Sequence, residues 1–242
     1  MPHGYADYGG RSPKKIVHAL YDLGELGERI SGVRSIDRLG DVYFFDEFAN
    51  GLGQWLEDGS GLGYSTGISG SVYMSKGWSC KLVSAQHDYY YIFVYTLQPY
   101  LIASKMGIEI YFSFDSNVYS VNLAARYYTG TGFYYISAYI NIVTGILYLY
   151  TNPATSTPLI TGLTFTKEVK HFYNLKLVFD LETGYYVRLY FNGELYDISS
   201  YFRPFTASTE AKRINLYYYI NGKEGLHGIS YLDSVLLTQN EP

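Results

Sequence analysis

Short segments rich in Val, Ile, Tyr and Phe recur from residue 41 onward with turn residues between them, and this repetition constrains the fold most. Asn192 and Gly193 join two such segments and suit a type I′ hairpin turn, in which both central residues take positive φ. Gly145 and the pair Asn221 and Gly222 mark further turns. Many short strands with turns about every 8–12 residues predict an all-β antiparallel sandwich of two sheets, not alternating βαβ units.

The stretch 59–70 is rich in Gly and Ser and is expected to form a loop or an irregular segment. Residues 41–48 are expected to form an opening strand. The remaining strands are expected at about 71–75, 79–85, 89–97, 106–115, 118–128, 133–142, 145–150, 159–166, 172–180, 185–191, 194–198, 213–220 and 228–237.

Residues 1–40 have a different pattern. Apolar residues in this part follow helical spacing, and the stripe includes Ile16, Leu20, Leu23, Leu26 and Ile30. Gly24 and Gly27 weaken such a helix by about 1 kcal/mol each relative to Ala. We therefore predict an N-terminal arm over residues 1–40 that contains a short helix, and one sandwich domain over residues 41–242. The stripe is expected to dock on the sandwich or on an adjacent subunit.

The composition limits the classes of partner. Charged residues make up 17% of the chain, below the roughly 25% of an average globular protein, and the net charge is −4 with no basic run. Nucleic-acid binding therefore lacks its electrostatic requirement. No apolar run approaches the length of a membrane span, and the N-terminus has no signal-peptide pattern. A surface with so little charge weakly favours assembly with other subunits.

Tyrosine is unusually abundant, with 30 Tyr against 2 Trp. Neighbouring tyrosines in a strand point to opposite faces, so one ring of each pair enters the core and the other faces outward. Outward rings can stack on sugars, form subunit contacts or cover their own strand neighbours. Because Trp is the more usual sugar platform, the subunit contact is favoured over the sugar platform. The candidate ligand or interface aromatics are Tyr90, Tyr128, Tyr135, Tyr186 and Tyr218.

The segment 175–195 contains a strand that ends in Asp180, a short glycine turn, and a strand that closes with Asn192 and Gly193. These hairpins resemble those of concanavalin A-like (laminin-G-like) jelly rolls. The run 229–237 resembles the last strand of such domains, and residues 48–51 with Trp55 resemble their first. The resemblance covers roughly residues 41–240 and implies a jelly-roll sandwich, a fold that serves many functions.

The first part of the chain resembles a more specific group of proteins. The segments 22–26 with Arg29, 36–42 and 45–48 are similar to the N-terminal arms of jelly-roll virion proteins from tailed phages of thermophilic bacteria. In that family the arm precedes a sandwich that sits in or on the shell. The resemblance implies a structural role in a virus particle.

Related carbohydrate-binding jelly rolls often hold a calcium ion through an acidic residue directly after the Phe of the first strand. Here that position is Ala49. Glu47 and Asp233 remain, but two carboxylates fall short of the six to eight oxygen ligands that calcium takes. No metal site is predicted.

Catalytic patterns are also missing from the sequence. Endoglucanases of this fold carry Glu-x-Asp-x-x-Glu on one strand, and Glu109 has no acidic partner two residues on. Neither a Gly-x-Ser-x-Gly elbow nor a phosphate-binding glycine loop is present. The single cysteine, Cys80, permits no internal disulfide. The histidines show no metal-ligand spacing, and they are His3, His18, His87, His171 and His227.

The sequence therefore predicts a non-enzymatic virion structural protein, a capsid shell or decoration subunit, with no catalytic residue and no cofactor. Its expected partners are copies of itself or other capsid subunits, and neither nucleic acid nor membrane. The alternative is a carbohydrate-binding module or lectin-like domain that binds a surface glycan outside the cell or on its surface. A glycan-cleaving enzyme would need two carboxylates facing each other across a groove, about 5–10 Å apart.

Overall fold

The computed structural model describes residues 40–74, 77–87, 90–101, 105–152, 155–203 and 205–242. No described residue is helical, and within these ranges no helix able to span a membrane occurs. The predicted arm, with its short helix and its apolar stripe, lies outside the described residues apart from Gly40. The strands are β1 (Asp41–Asp46), β2 (Leu56–Gly59), β3 (Ser65–Ser69), β4 (Ser79–Val83), β5 (Tyr91–Gln98), β6 (Lys105–Phe114), β7 (Val118–Tyr128), β8 (Gly132–Asn141), β9 (Ile146–Asn152), β10 (Thr155–Ile160), β11 (Tyr173–Asp180), β12 (Tyr186–Phe191), β13 (Glu194–Asp197), β14 (Thr206–Ala207), β15 (Arg213–Gly222) and β16 (Ile229–Gln239).

The strands form two 8-stranded sheets. Sheet A has the order β13-β12-β11-β6-β16-β4-β3, with β1 also paired to β16. Sheet B has the order β10-β9-β8-β7-β15-β5-β2, with β14 also paired to β8. The pairs on either side of β6 and β15 are antiparallel. The predicted all-β sandwich of two antiparallel sheets is confirmed.

The core lies between the inner faces of the two sheets, where every second residue of β6 and β15 points. Phe112 of sheet A and Tyr218 of sheet B meet there with their ring centroids 6.0 Å apart. The Tyr218 hydroxyl shares a hydrogen bond of 2.6 Å with the hydroxyl of Ser230 in sheet A. Full burial of one large apolar side chain stabilises a fold by about 1.5–3 kcal/mol. This core therefore holds the two sheets face to face.

Two shorter strands, β4 and β1, pair with the same edge of strand β16. Its first residues pair with β4 and its last residues with β1. Between these two pairings the Asp233 carboxylate accepts a hydrogen bond from the backbone N–H of Met74, with the two atoms 2.6 Å apart. At the end of β1, Asp46 accepts hydrogen bonds from the Trp55 indole at 2.6 Å and from the Gln54 amide at 2.7 Å. These two buried carboxylates fix the loops that follow β1 and β3.

Strands that are bounded by strong turn signals in the sequence were predicted well. The predicted strand over 118–128 coincides with β7. The predicted hairpin turn is present between β12 and β13, where Asn192 has φ of 50° and Gly193 has φ of 82°. Both residues therefore take the positive φ that a type I′ turn requires.

Edge strands were predicted less well. The expected loop over 59–70 contains β3, and the described part of the expected strand 71–75 is not a strand. The strand expected at 159–166 is instead β10, which runs through Pro158. Both β3 and β10 end their sheets in the pairing order. An edge strand tolerates Gly, Ser and Pro because one side of its backbone forms no ladder hydrogen bonds.

A buried ionic cluster joins β11, β12 and the C-terminus on sheet A. The Lys176 ammonium lies 2.9 Å from one oxygen of Glu241, and the Arg188 guanidinium lies 2.6 Å from the other. The Glu241 and Lys176 side chains are fully buried. Removing one partner from such a cluster leaves a buried charge without compensation, which costs more than the intact pair contributes.

We predict that Glu241→Gln lowers the free energy of unfolding by about 3 kcal/mol because Lys176 and Arg188 lose the buried carboxylate charge that they share. Urea unfolding followed by fluorescence measures this change. Glu224→Gln is the control, since Glu224 is 70% exposed and faces His87 at 3.2 Å. The control should shift the free energy by less than about 0.5 kcal/mol. Equal effects of the two substitutions would contradict the role of Glu241.

Candidate functional site

The outer face of sheet B carries aromatic side chains on two neighbouring strands. Strand β5 places Tyr91, Phe93 and Tyr95 on this face, and β15 places Tyr217 and Tyr219 beside them. Alternation explains the arrangement, because the residues between them point into the core. These two neighbouring strands of sheet B thus present a row of rings to the outside.

The rings contact one another as cross-strand pairs. Tyr217 stands opposite Tyr95, and Tyr219 opposite Phe93. The centroids of Tyr95 and Tyr217 are 5.5 Å apart, and those of Phe93 and Tyr219 are 4.7 Å apart. Each such contact stabilises its arrangement by about 0.5–1.5 kcal/mol beyond area burial. The row is therefore held in place before any ligand arrives.

A depression of about 550 Å³ lies over this row. We call it the aromatic groove. It spans β2, β5, β15, β7 and β8, which are neighbours in sheet B. Its lining residues are Asp58, Tyr91, Phe93, Tyr95, Leu97, Arg126, Tyr128, Tyr135, Glu210, Arg213, Asn215, Tyr217 and Tyr219.

Small side chains lie beside the ring row. Ala124 of β7 stands opposite Tyr217, and Ser137 of β8 stands opposite Ala124. Both are fully buried although they face outward. Because larger side chains cover both of them, neither residue is among those that line the groove.

A chain of polar contacts fixes one wall. Arg213 bonds to the Glu210 carboxylate at 2.8 Å and donates from Nε to the Asn215 amide oxygen at 3.0 Å. The Asn215 amide nitrogen donates to the Tyr217 hydroxyl at 2.9 Å. The Arg213 guanidinium also lies over the Tyr128 ring, 4.6 Å from its centroid. Glu210 and Arg213 therefore neutralise each other inside the groove.

Arg126 projects from β7 among three aromatic rings. Its Cζ atom lies 5.3 Å from the Tyr217 centroid, 5.5 Å from that of Tyr135 and 5.9 Å from that of Phe133. A cation over a ring face is attracted by about 0.5–2 kcal/mol, depending on its exposure. The rings thus hold a positive charge at the β7 and β8 end of the groove.

Burial raises the pKa of two tyrosine hydroxyls in the groove. Desolvation raises the pKa of Tyr217 and of Tyr219 above the ordinary value for tyrosine. Both hydroxyls stay protonated at neutral pH, so each can donate and accept a hydrogen bond.

The structure brings two of the five candidate tyrosines together. Tyr128 and Tyr135 line the aromatic groove. Tyr90 is exposed outside it and packs against His87 with ring centroids 4.9 Å apart. The prediction was wrong for Tyr186 and Tyr218, which are fully buried in the core. In both cases the other member of the pair, Tyr185 or Tyr217, is the ring that faces outward.

Sequence reasoning missed most of the groove residues, including Tyr91, Phe93, Tyr95, Arg126, Tyr217 and Tyr219. A signal for the β5 rings was present. Ile92 and Val94 alternate with them, and such aliphatic residues mark the inner face of a strand.

Acidic side chains are few in the groove lining. Among the described residues, the acids that line the groove are Asp58 and Glu210, and Glu210 is paired with Arg213. The described residues also contain no group of three or more His, Cys, Asp or Glu side chains that could hold a metal ion.

Comparison with known proteins gives structural matches alone. No protein-family model and no curated protein sequence matches the chain. The structure is similar to that of the cellulose induced protein Cip1, with a TM-score of 0.52 and 14% identity over 82% of this chain and 98% of that one. It is also similar to an endo-β-1,4-glucuronan lyase from the fungus Trichoderma reesei, with a TM-score of 0.52 and 13% identity over 82% and 96% of the two chains.

A third match is to part of a sialidase, with a TM-score of 0.53 and 9% identity over 84% of this chain and 19% of that one. At such low identities these similarities establish a shared β-sandwich fold. Function does not follow from the fold, because one fold serves many sites.

Tyr186 and Tyr185 offer a test of the face assignment. The Tyr186 hydroxyl donates to the Tyr150 carbonyl at 2.8 Å and accepts from the Ser137 N–H at 3.2 Å. We predict that Tyr186→Phe lowers the free energy of unfolding by about 1–3 kcal/mol because these buried groups lose a partner.

Tyr185→Phe is the matched control, since Tyr185 is 44% exposed. It should change the free energy of unfolding by less than about 0.5 kcal/mol. Chemical denaturation measures both variants, and a larger loss for Tyr185→Phe would reverse the assignment of faces.

Proposed function

We propose that this protein binds a carbohydrate chain in the aromatic groove and does not cleave it. The observation that carries the proposal is the row of rings on β5 and β15, which lies in a depression; Tyr91 is exposed, Phe93, Tyr95 and Tyr219 are half-buried, and Tyr217 is buried. Tyr91 at one end of the row is 41% exposed. Exposed aromatic clusters of this kind on a soluble domain mark a contact surface.

The chemistry of the groove matches that of a sugar. One face of a pyranose ring presents C–H groups that pack on an aromatic ring, while its edges carry hydroxyls that need donors and acceptors. The Tyr217 hydroxyl and the Asn215 amide form a fixed polar edge beside the rings. Apolar walls with a few oriented polar groups are typical of small-molecule sites. Tyrosine serves both needs because its ring is apolar and its tip is polar.

The structural matches support this proposal over a virion role. Their names refer to cellulose, to glucuronan and to a sialidase. This agreement favours the lectin-like alternative and a location outside the cell or on its surface. A capsid or decoration subunit gains no support from these matches.

The expectation of assembly through the arm remains a prediction. The apolar stripe of the arm lies outside the described residues. Two of the tyrosines proposed as interface residues, Tyr186 and Tyr218, belong to the core. Self-association is therefore a separate question from glycan binding, and light scattering of the full chain answers it.

The absence of cleavage is likewise part of the proposal. Glycoside hydrolysis uses a pair of carboxyl groups that flank the scissile bond. Glu210 is held by Arg213, which leaves Asp58 as the other acid of the groove. We expect no new reducing ends and no new unsaturated ends when the protein is incubated with a glycan that it binds. Product formation that Asp58→Asn abolishes would overturn this part.

Binding is tested with a glycan array followed by titration calorimetry on the best ligand. We predict that Tyr91→Ala lowers the affinity about tenfold, which equals about 1.4 kcal/mol, because one stacking ring is lost.

Tyr185→Ala is the matched control, because Tyr185 is equally exposed but lies outside the groove. It should leave the affinity within a factor of two. Absence of any glycan ligand, or equal losses in both variants, would contradict the proposed function.

A further inference from the structure

Two arginines flank one ring of the aromatic groove. Arg126 comes from β7, and Arg203 comes from the segment between β13 and β14. Their Cζ atoms lie 5.5 Å and 5.6 Å from the centroid of the Tyr135 ring. Residues distant in sequence thus bring two positive charges to the Tyr135 ring, and of the two arginines only Arg126 is among the residues that line the groove.

Three nitrogen atoms of these two guanidinium groups lack hydrogen-bond acceptors, although the Arg126 side chain also hydrogen-bonds with that of Tyr128. The Nε atom of Arg126 is buried without a partner, and so are Nε and Nη1 of Arg203. Arg203 is only 4% exposed, and burial lowers the pKa of its guanidinium. Within the described part of the chain no carboxylate pairs with either arginine, whereas Arg188 and Arg213 both have one.

Such an arrangement is costly without a ligand. A buried donor with no acceptor loses its hydrogen bonds to water and gains none in return. The neighbouring rings stabilise the charge, but a ring face replaces these hydrogen bonds poorly. An anionic oxygen at this position would supply both the acceptor and the counter-charge.

Positively and negatively charged side chains lie at different positions along the groove. Asp58 lies on β2, four strand spacings from Tyr135 on β8, which is about 19 Å at about 4.8 Å per strand. Glu210 and Arg213 cancel between them. The unpaired positive charge therefore lies at the Tyr135 end and the unpaired negative charge at the opposite end.

We infer that the Tyr135 end of the aromatic groove binds an anionic group of an acidic glycan, a uronate carboxylate or a sulfate ester, with Arg126 as the contact in the groove lining and Arg203 as a second positive charge beside the Tyr135 ring. The inference rests on the proposed function and names the ligand class for the same site. Rings on β5 and β15 hold the sugar faces, Arg126 binds the acidic substituent, and Arg203 adds positive charge at the Tyr135 ring.

The first experiment compares three panels of polysaccharide by affinity electrophoresis and calorimetry: neutral, uronate-containing and sulfated. We expect the best ligand to be acidic and its affinity to fall at least tenfold when the charge is removed. Carboxyl reduction removes it from a uronate, and desulfation removes it from a sulfate ester, so the two treatments identify which group is bound.

The second experiment uses charge variants. Arg126→Gln should lower the affinity for the acidic ligand at least tenfold and change that for the charge-depleted ligand by less than threefold. Lys212→Gln is the control, since it removes the same charge outside the groove lining, where Lys212 lies over the Tyr100 ring. The control should change both affinities by less than twofold.

Arg203→Met separates recognition from folding. If Arg203 is held ready for a ligand, replacing this buried unpaired cation by an apolar side chain leaves the unfolding midpoint unchanged or higher, while the affinity for the acidic ligand falls at least fivefold. A lower midpoint with unchanged affinity would assign Arg203 a purely structural role and overturn its part in the inference.

The outcomes also separate this inference from the proposed function. Tight binding of neutral glycans alone, with no effect of Arg126→Gln, overturns the acidic-ligand inference and leaves the proposed function standing. Absence of binding to all three panels overturns both.

Discussion

Strand β15 lies between β7 and β5 in sheet B, and the alternation of its side chains links the groove to the core. Leu216 and Tyr218 point inward, whereas Tyr217 and Tyr219 point outward. A shift of one residue would exchange these sets and place apolar side chains outside, so burial of the core fixes the register. The hydrogen bond shared by the hydroxyls of Tyr218 and Ser230, which lie in opposite sheets, adds a second constraint. The position of each ring in the groove is therefore a consequence of core packing.

Much of the sandwich followed from local signals in the sequence. Central strands such as β7 are long and rich in β-branched and aromatic residues, and the hairpin at Asn192 and Gly193 is set by backbone conformations that few residues adopt. The edge strands β3 and β10 lack these signals. Their pairing depends on a neighbouring strand that offers a free backbone edge, and that property belongs to the assembled sheet.

The binding face was harder to predict than the strands that form it. Each Tyr pair contains one inward and one outward ring. The pair alone does not predict which of the two tyrosines faces the core. The flanking residues do: Ile214, Leu216 and Ile220 share their parity with Tyr218 and mark it as a core residue. No such pattern relates Arg126 and Arg203 to Tyr135, because their proximity arises only when separate elements pack together.

That convergence bears on how a weakly charged chain could select an acidic ligand. The net charge of −4 repels an anion at long range, and salt in solution screens most of this effect beyond about 10 Å. Selection would then rest on contacts made inside the groove. Ring faces hold the guanidinium charge of Arg126 in place but leave its Nε without an acceptor, so a ligand oxygen gains both attraction and a hydrogen bond there. A neutral hydroxyl supplies the hydrogen bond without the charge attraction. This difference is the source of the discrimination between acidic and neutral ligands.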